Sequence, residues 1–324
     1  MFSYSVFKGF VYEKIKDYMP VEYSEIEMEF VTTQKVNKSR EGIKFAGQAG
    51  KTVPVMYLDS MYQDYLESGD IRSVLSSAAN SYIDTLSRAD QISAAVRINM
   101  EKETIEKNIV FQVINTGKNA EMLRNVPHRE LEDLSIVYRW IVVPKTENTE
   151  MHDVLINNDI ARKFNFTEKA LFELAYKNTK RIMPVFVKNI DDIIPIQDSE
   201  VDDNLSMWVI SNEAGINGAA SMIYDDVLYN LADNLESDLY ILPSSINEVI
   251  AVKASSYMTE LHDLEALVKD VNDACVDPEE RLSDHVYYYN KDSRELTLAV
   301  TDNAEKSLNE SDDLSKSGRR NRGI

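Results

Sequence analysis

Two adjacent hydroxyls, Ser244 and Ser245, lie in the segment Pro243-Ser244-Ser245-Ile246-Asn247 between two apolar runs. A serine on a tight turn is how many hydrolases present a nucleophile to an acyl group. Such a serine needs a base to take its proton. Glu248 follows closely, and His128 far upstream titrates near neutral pH, with Glu132 or Asp133 able to orient it. His128 and Arg129 belong to the run Val126-Pro127-His128-Arg129, which reads as a turn. Asn212, just past a predicted strand, adds an amide. The candidate set is therefore His128, Arg129, Asn212, Ser244, Ser245 and Glu248. The glycines that flank a nucleophile elbow are missing here, and Pro243 does not replace them. Hydroxyls in turns also commonly bond backbone groups.

Other groupings carry less. Ser283-Asp284-His285 holds triad residue types, but neighbours on a strand point to opposite faces and cannot form a triad among themselves. Tyr287-Tyr288-Tyr289 could stack a ligand; on a strand, alternation buries either Tyr288 or the other two. With one cysteine, four scattered histidines and no zinc spacing, no metal site is expected. No phosphate-binding loop or dinucleotide glycine fingerprint is present, so no cofactor is expected either. Cys275 ends an apolar stripe and reads as a buried, inert thiol.

The elements that must position these groups follow from periodicity. Residues 2–18 space Phe7, Phe10, Val11, Ile15 and Tyr18 as one helical face, and Pro20 stops it. Glu25 to Val36 alternates as a half-buried strand, and Gly42 to Ala46 and Val53 to Leu58 predict two more. Asp59 or Ser60 caps a short helix and Asp70 a longer one. Ile105 to Ile114 and Leu134 to Val143 predict strands, with Val154 to Ile156 continuing the sheet. Thr167 caps a helix that buries Leu171, Leu174 and Ala175. Met207 to Ser211 and Ala219 to Ile223 predict strands around Gly215 and Gly218. A helix from Tyr224 to Leu235, strands Leu239 to Leu242 and Val249 to Val252, and a helix from Tyr257 to Cys275 follow. Asp277-Pro278-Glu279-Glu280 has the form of a helix start. His285 to Tyr289 and Glu295 to Val300 predict a closing hairpin. Strands in tight pairs imply antiparallel pairing, so the fold class expected is α+β, with mainly antiparallel sheets carrying amphipathic helices.

The expected divisions are an N-terminal α/β segment at 1–190, an acidic linker at 191–205, a C-terminal α+β domain at 206–300 and a disordered tail at 301–324. Hydrophobic residues make up 44 % of the chain, enough for a sizeable core. No run of about 18 apolar residues exists, which argues against a transmembrane helix. Met1 to Pro20 lacks the basic start and uninterrupted apolar run of a signal peptide, and a lone cysteine fits a reducing compartment. The expectation is a cytoplasmic protein.

Net charge is −20, and it is unevenly placed. Between Lys188 and Lys253 there is no Lys, Arg or His, while acidic residues run from Asp191 to Glu248. Phosphate-backbone binding needs clustered cations, so direct nucleic-acid binding is not expected. Such a stretch is a solvated face, a docking face for a basic protein partner, a mimic of nucleic-acid charge or a place for a divalent cation. Oligomeric state is not set by any feature of the chain.

Several short runs, taken together, resemble a known family. They are Asn125-Val126-Pro127-His128-Arg129 before Asp133-Leu134 and Ile136-Val137-Tyr138, Ala175-Tyr176-Lys177-Asn178-Thr179, Leu239-Tyr240-Ile241-Leu242-Pro243-Ser244-Ser245 with Glu248-Val249-Ile250, and Leu282-Ser283-Asp284 before Val286-Tyr287-Tyr288-Tyr289. The chain resembles the uncharacterised bacterial family called domain of unknown function 5688 over about residues 1–300, and more distantly domain of unknown function 1444. The resemblance implies a bacterial cytoplasmic protein and supplies no activity, cofactor or catalytic residue. It implies a His after Ser-Ser-Ile, where this chain has Asn247. The function expected is a non-enzymatic protein-binding module with an acidic surface. The alternative is a hydrolase using Ser244 or Ser245, with His128 or a carboxylate as base.

Overall fold

Along most of the chain the spacing of apolar residues predicts the element that forms. The computed structural model describes residues 1–46, 53–98, 100–146, 150–193, 206–243, 245–255 and 261–300. Helix α1 (Tyr4–Lys14) tightens into a 3-10 turn at Ile15–Tyr18. Strands β1 (Met28–Lys35), β2 (Lys38–Phe45) and β3 (Met56–Tyr57) form an antiparallel sheet in that order. Helices α2 (Leu58–Ser68) and α3 (Ile71–Ile98) pack on it, separated by Gly69 in the left-handed region (φ 68°), where a Cβ would be strained. Asp70 caps α3 as expected, its Oδ1 accepting from the N–H groups of Arg72 and Ser73 at 2.9 and 3.3 Å. Phe7, Val11, Ile15, Ile43, Phe45, Leu58, Leu75 and Tyr82 make this part's own core.

The β1–β2 hairpin reaches the rest of the molecule through its tip. Asn37, at φ 61°, donates from Nδ2 to the carbonyls of Glu279 and Arg281 at 3.1 and 2.6 Å. Its backbone N–H donates to Asn119 Oδ1 at 2.7 Å.

The middle of the chain gives α4 (Lys102–Lys107), β4 (Ile109–Asn115), α5 (Ala120–Leu123), β5 (His128–Leu131), β6 (Leu134–Val143), β7 (His152–Leu155), α6 (Asn158–Phe164) and α7 (Glu168–Ile182). Strand β6 is central, flanked by β4 and β5, with β7 also paired to it. It is apolar on both faces because both are covered, which is why it reads as a continuous run and not an alternation.

The remainder gives β8 (Val185–Asn189), α8 (Ile190–Ile193), β9 (Trp208–Asn212), a 3-10 turn at Gly218–Ile223, α9 (Asp225–Asn234), β10 (Leu239–Leu242), β11 (Val249–Lys253), α10 (Leu261–Cys275), β12 (Tyr287–Asn290) and β13 (Glu295–Leu298). These strands form one sheet in the order β13-β12-β10-β11-β9-β8, every pair antiparallel. The α+β class is therefore as expected. A single apolar cluster joins this sheet to β4 and β6, taking Phe111, Tyr138, Ile210, Leu239, Ile241, Tyr287 and Tyr289. The expected acidic linker falls between the paired strands β8 and β9; of it, residues 194–205 lie outside the described residues, as does the expected tail at 301–324. No helix among the described residues is long and apolar enough to cross a membrane.

Four expectations are corrected. Ala219 to Ile223 is a buried 3-10 turn, not a strand; Gly218 there sits so close to the neighbouring chain that an added Cβ would lie 2.2 Å from the Asn247 carbonyl oxygen. The strand expected from Ile105 starts at Ile109, and Ile105 is the buried residue of α4. Asp277 to Glu280 is a turn, with Asp277 Oδ1 accepting from the Glu279 N–H at 2.9 Å. Cys275 is exposed, because the buried face of α10 runs through Leu261, Leu264, Val268 and Asn272 and leaves the thiol on the flank.

Candidate functional site

The turn between β10 and β11 holds Ser245, which is buried and bridges to Arg281. Its hydroxyl donates to Glu248 Oε1 at 2.5 Å and accepts from the N–H groups of Asn247 and Glu248 at 3.0 and 3.3 Å. A hydroxyl has one proton and two lone pairs. All are engaged within the turn, so Ser245 has no lone pair free to attack a carbonyl carbon. Ser244 lies outside the described residues.

Asn247 does structural work as well. Its Oδ1 accepts from the Asn217 N–H at 3.1 Å, and its carbonyl accepts from Ser211 Oγ at 2.7 Å. Its Nδ2 donates to Glu280 Oε1 at 3.2 Å. Asn212, next to Ser211 at the end of β9, is 2 % exposed and donates to the Ile216 carbonyl at 2.9 Å, while its Oδ1 has no partner among the described residues. Pairing of β9 with β11 thus brings Asn212, Ser245 and Glu248 to one end of the large sheet, around the 3-10 turn.

His128 and Arg129 are elsewhere. They are not in the turn but open β5, and alternation sends their side chains to opposite faces. His128 Nδ1 donates to the Val126 carbonyl at 2.8 Å, and among the described residues no hydrogen bond joins the ring to Glu132 or Asp133. Asp133 is taken by Ser283 Oγ at 2.7 Å and by the Tyr287 phenol. Arg129 grips Glu168 with a two-point fork at 3.0 and 3.1 Å and lies 3.7 Å over the Phe172 ring. The Tyr138 phenol donates to the same carboxylate at 2.5 Å. Burial pushes the Glu168 carboxyl up, but the Arg129 and Tyr138 hydrogen bonds outweigh it and hold the group below the usual glutamate range. Burial, and then the Glu168 carboxylate, push the Tyr138 phenol up. Glu168 and Tyr138 escape a motif search because nothing in their spacing links a strand residue to a helix start; only the Thr167 cap, which places Glu168 in the first turn, marks the position.

The acidic stretch looks different once folded. Three carboxylates on α9 meet cations from outside the stretch: Asp225 with Arg294 at 3.0 Å, Asp226 with Lys180 at 2.5 Å and Asp233 with Lys291 at 2.8 Å. Beyond α9 lies an open recess of about 450 Å³, lined by Glu236, Asp238, Asp292, Tyr240, Tyr288 and Lys291 among others. Tyr240 and Tyr288 face each other across β10 and β12 with ring centroids 5.7 Å apart. Asp238 accepts from the Tyr288 phenol at 2.5 Å and from the Lys291 N–H at 2.7 Å. Burial, then that carboxylate, push the Tyr288 phenol up to about 12. The Lys291 ammonium is drawn first to Asp233 and more weakly to Asp292, and the Glu236 and Asp292 side chains are exposed at the rim. The sequence marks the acidic stretch and the Tyr287-Tyr288-Tyr289 run, but not the facing of Tyr288 by Tyr240, which depends on the register of β12 against β10.

Among the described residues no group of three or more His, Cys, Asp or Glu side chains is placed to hold a metal ion. No curated protein and no solved structure matches the chain. A family model does, over residues 4–291; its description is a family of unknown function, DUF5688.

Proposed function

Because the chain belongs to the DUF5688 family, to which no function is assigned, we propose a role from its own surface: a non-enzymatic protein-binding module whose acidic, tyrosine-walled recess receives a basic side chain of a partner protein. The observation that carries this reading is the recess itself. Glu236, Asp238 and Asp292 converge there, the lining Lys291 ammonium is paired with Asp233, and two tyrosine rings form a wall. A lysine ammonium or arginine guanidinium in that space gains carboxylate contacts of about 0.2–1 kcal/mol each, and an aromatic face adds about 0.5–1 kcal/mol. Such a contact selects a basic side chain without holding a whole protein, so surrounding contacts must add to it. We also take the protein to be bacterial and cytoplasmic, a reading supported by its one cysteine and by the resemblance.

The hydrolase alternative gains no support from Ser245, whose hydroxyl is spent in its own turn.

The test uses the full chain and a lysine-rich peptide, with the same peptide acetylated on its lysines as comparison. Binding is expected for the unmodified peptide only, and it should weaken from about 50 to 500 mM salt as screening shortens. An E236Q/D292N double variant should lose about threefold to tenfold in affinity. An E13Q/E22Q variant removes the same charge at a distant exposed site and should bind as the parent does. Equal binding of both peptides, or equal loss in both variants, overturns the proposal.

A further inference from the structure

A second cavity lies between the Val126-Pro127 turn, α6 and the start of α7. It is open, about 710 Å³ in volume, and far larger in scale than one water. Its polar wall carries Asn125, Asn157 and Asn158, and its apolar surface includes Pro127 and the Phe166 ring. We infer that this cavity is a binding site for an uncharged, hydroxyl-rich small molecule of the saccharide class.

Each charged group of the wall has an ion-pair partner, Arg129 reaching Glu168 from outside the lining. Glu168 is held by Arg129 and Tyr138, and Arg162 donates to Asp159 at 2.5 Å. An anionic ligand would face two carboxylates, and a cationic one the Arg162 guanidinium. Beside these charged pairs, the neutral amides also keep hydrogen-bonding capacity. Asn157 Oδ1 accepts from the Ile160 N–H at 2.9 Å, which leaves its NH₂. Asn158 donates to the Arg124 carbonyl across a long 3.4 Å, which leaves its Oδ1. The exposed Asn125 side chain makes no hydrogen bond with the described residues, while its backbone carbonyl accepts from the Asn158 N–H at 2.9 Å. The wall therefore offers donors and acceptors side by side, and a sugar hydroxyl is both at once.

The cavity is also preformed. The Asn158–Asn125 backbone bond clamps the two loops. Asn165, at φ 55°, ends α6, and the Phe166 N–H then donates to the Ala161 carbonyl at 2.9 Å, which fixes the ring beside the amides. Lys102 stands 5.3 Å from the centre of that ring, with Glu106 3.8 Å from its ammonium. A pocket with an apolar patch and a few fixed polar groups is the usual form of a small-molecule site, and the C–H face of a pyranose fits such a patch.

Saturation-transfer NMR on the full chain tests this, with neutral hexoses and their disaccharides as probes beside hexose 6-phosphate and hexuronate. Transfer to the ring C–H protons of a neutral sugar is expected, with weaker binding of both charged forms. Asn125→Ala should weaken that binding about threefold to tenfold, the equivalent of one hydrogen bond, with an unchanged melting temperature. Phe166→Leu should reduce the transfer further. The inference is overturned if no neutral sugar shows transfer at millimolar concentration, if the charged forms bind more tightly, or if Asn125→Ala and Phe166→Leu both bind as the parent does. This site does not depend on the acidic recess, so either can fail alone.

Discussion

The Tyr287 phenol donates to Asp133 Oδ1, a hydrogen bond between residues 154 positions apart in sequence. Asp133 sits in the β5–β6 turn and Tyr287 opens β12, so the bond ties the central strand of one sheet to the far sheet. Ser283 Oγ donates to the other oxygen of the same carboxylate at 2.7 Å. Burial, and next the carboxylate itself, push the Tyr287 phenol up.

Removing the phenol should therefore be costly. Tyr287→Phe keeps the fully buried ring but leaves Asp133 short of a donor, a loss of about 1–3 kcal/mol. Ser283→Ala should cost about 1 kcal/mol. Because both bonds end on one carboxylate, the double variant should depart from additivity by about 0.5 kcal/mol or more, readable by urea denaturation. Strict additivity would show that the two donors act independently.

The Glu168 carboxyl should make folding sensitive to acid. Its folded pKa lies below the ordinary value of 4.5, so the unfolded chain binds the proton more readily. Its contribution is present above that ordinary value and is lost as pH falls through the folded pKa. Urea midpoints followed from pH 6 to pH 3 should fall less steeply for Glu168→Gln than for the parent. Parallel curves would remove Glu168 from the acid response. The effect is modest, since the carboxylate is about a third exposed.

The turn around Ser245 should behave as a structural element. A fluorophosphonate probe should leave Ser245 unlabelled in native protein, and labelling lost in Ser245→Ala would revive the hydrolase reading. Gly218→Ala should destabilise by about 1–3 kcal/mol, because the new methyl meets the Asn247 carbonyl oxygen and Ser211 Oγ, each at 2.2 Å. A neutral effect would mean that the 3-10 turn can move aside.

Much of the fold is legible in the residues themselves. The Leu134 to Val143 run is β6 to the residue, and the Asp70 and Thr167 caps form as their residue types require. The misreadings have local causes. Gly218 to Ile223 is a short apolar run without a period, and such a run does not separate a strand from a tight helical turn. In sequence Cys275 extends the apolar stripe of α10, but the polar Asn272 holds the buried position there, donating to the Ser283 carbonyl and Asp284 at 3.0 and 2.7 Å. Of the candidate site, the acidic stretch, the Pro127 turn and the tyrosine run are visible in sequence; the pairing of Tyr288 with Tyr240 and the Glu168 clamp are not.

The sequence by itself determined the α+β class, the order of most elements and the placing of negative charge. Those follow from periods of 2 and 3.6 residues and from composition, which are local properties. Tertiary structure decided what each polar group does. It gave Asp133 to Tyr287 and not to His128, spent the Ser245 hydroxyl on Glu248, and matched Asp225, Asp226 and Asp233 with distant cations. The physical reason is that a hydrogen bond or ion pair depends on ångström separations between segments that only sheet order and register bring together.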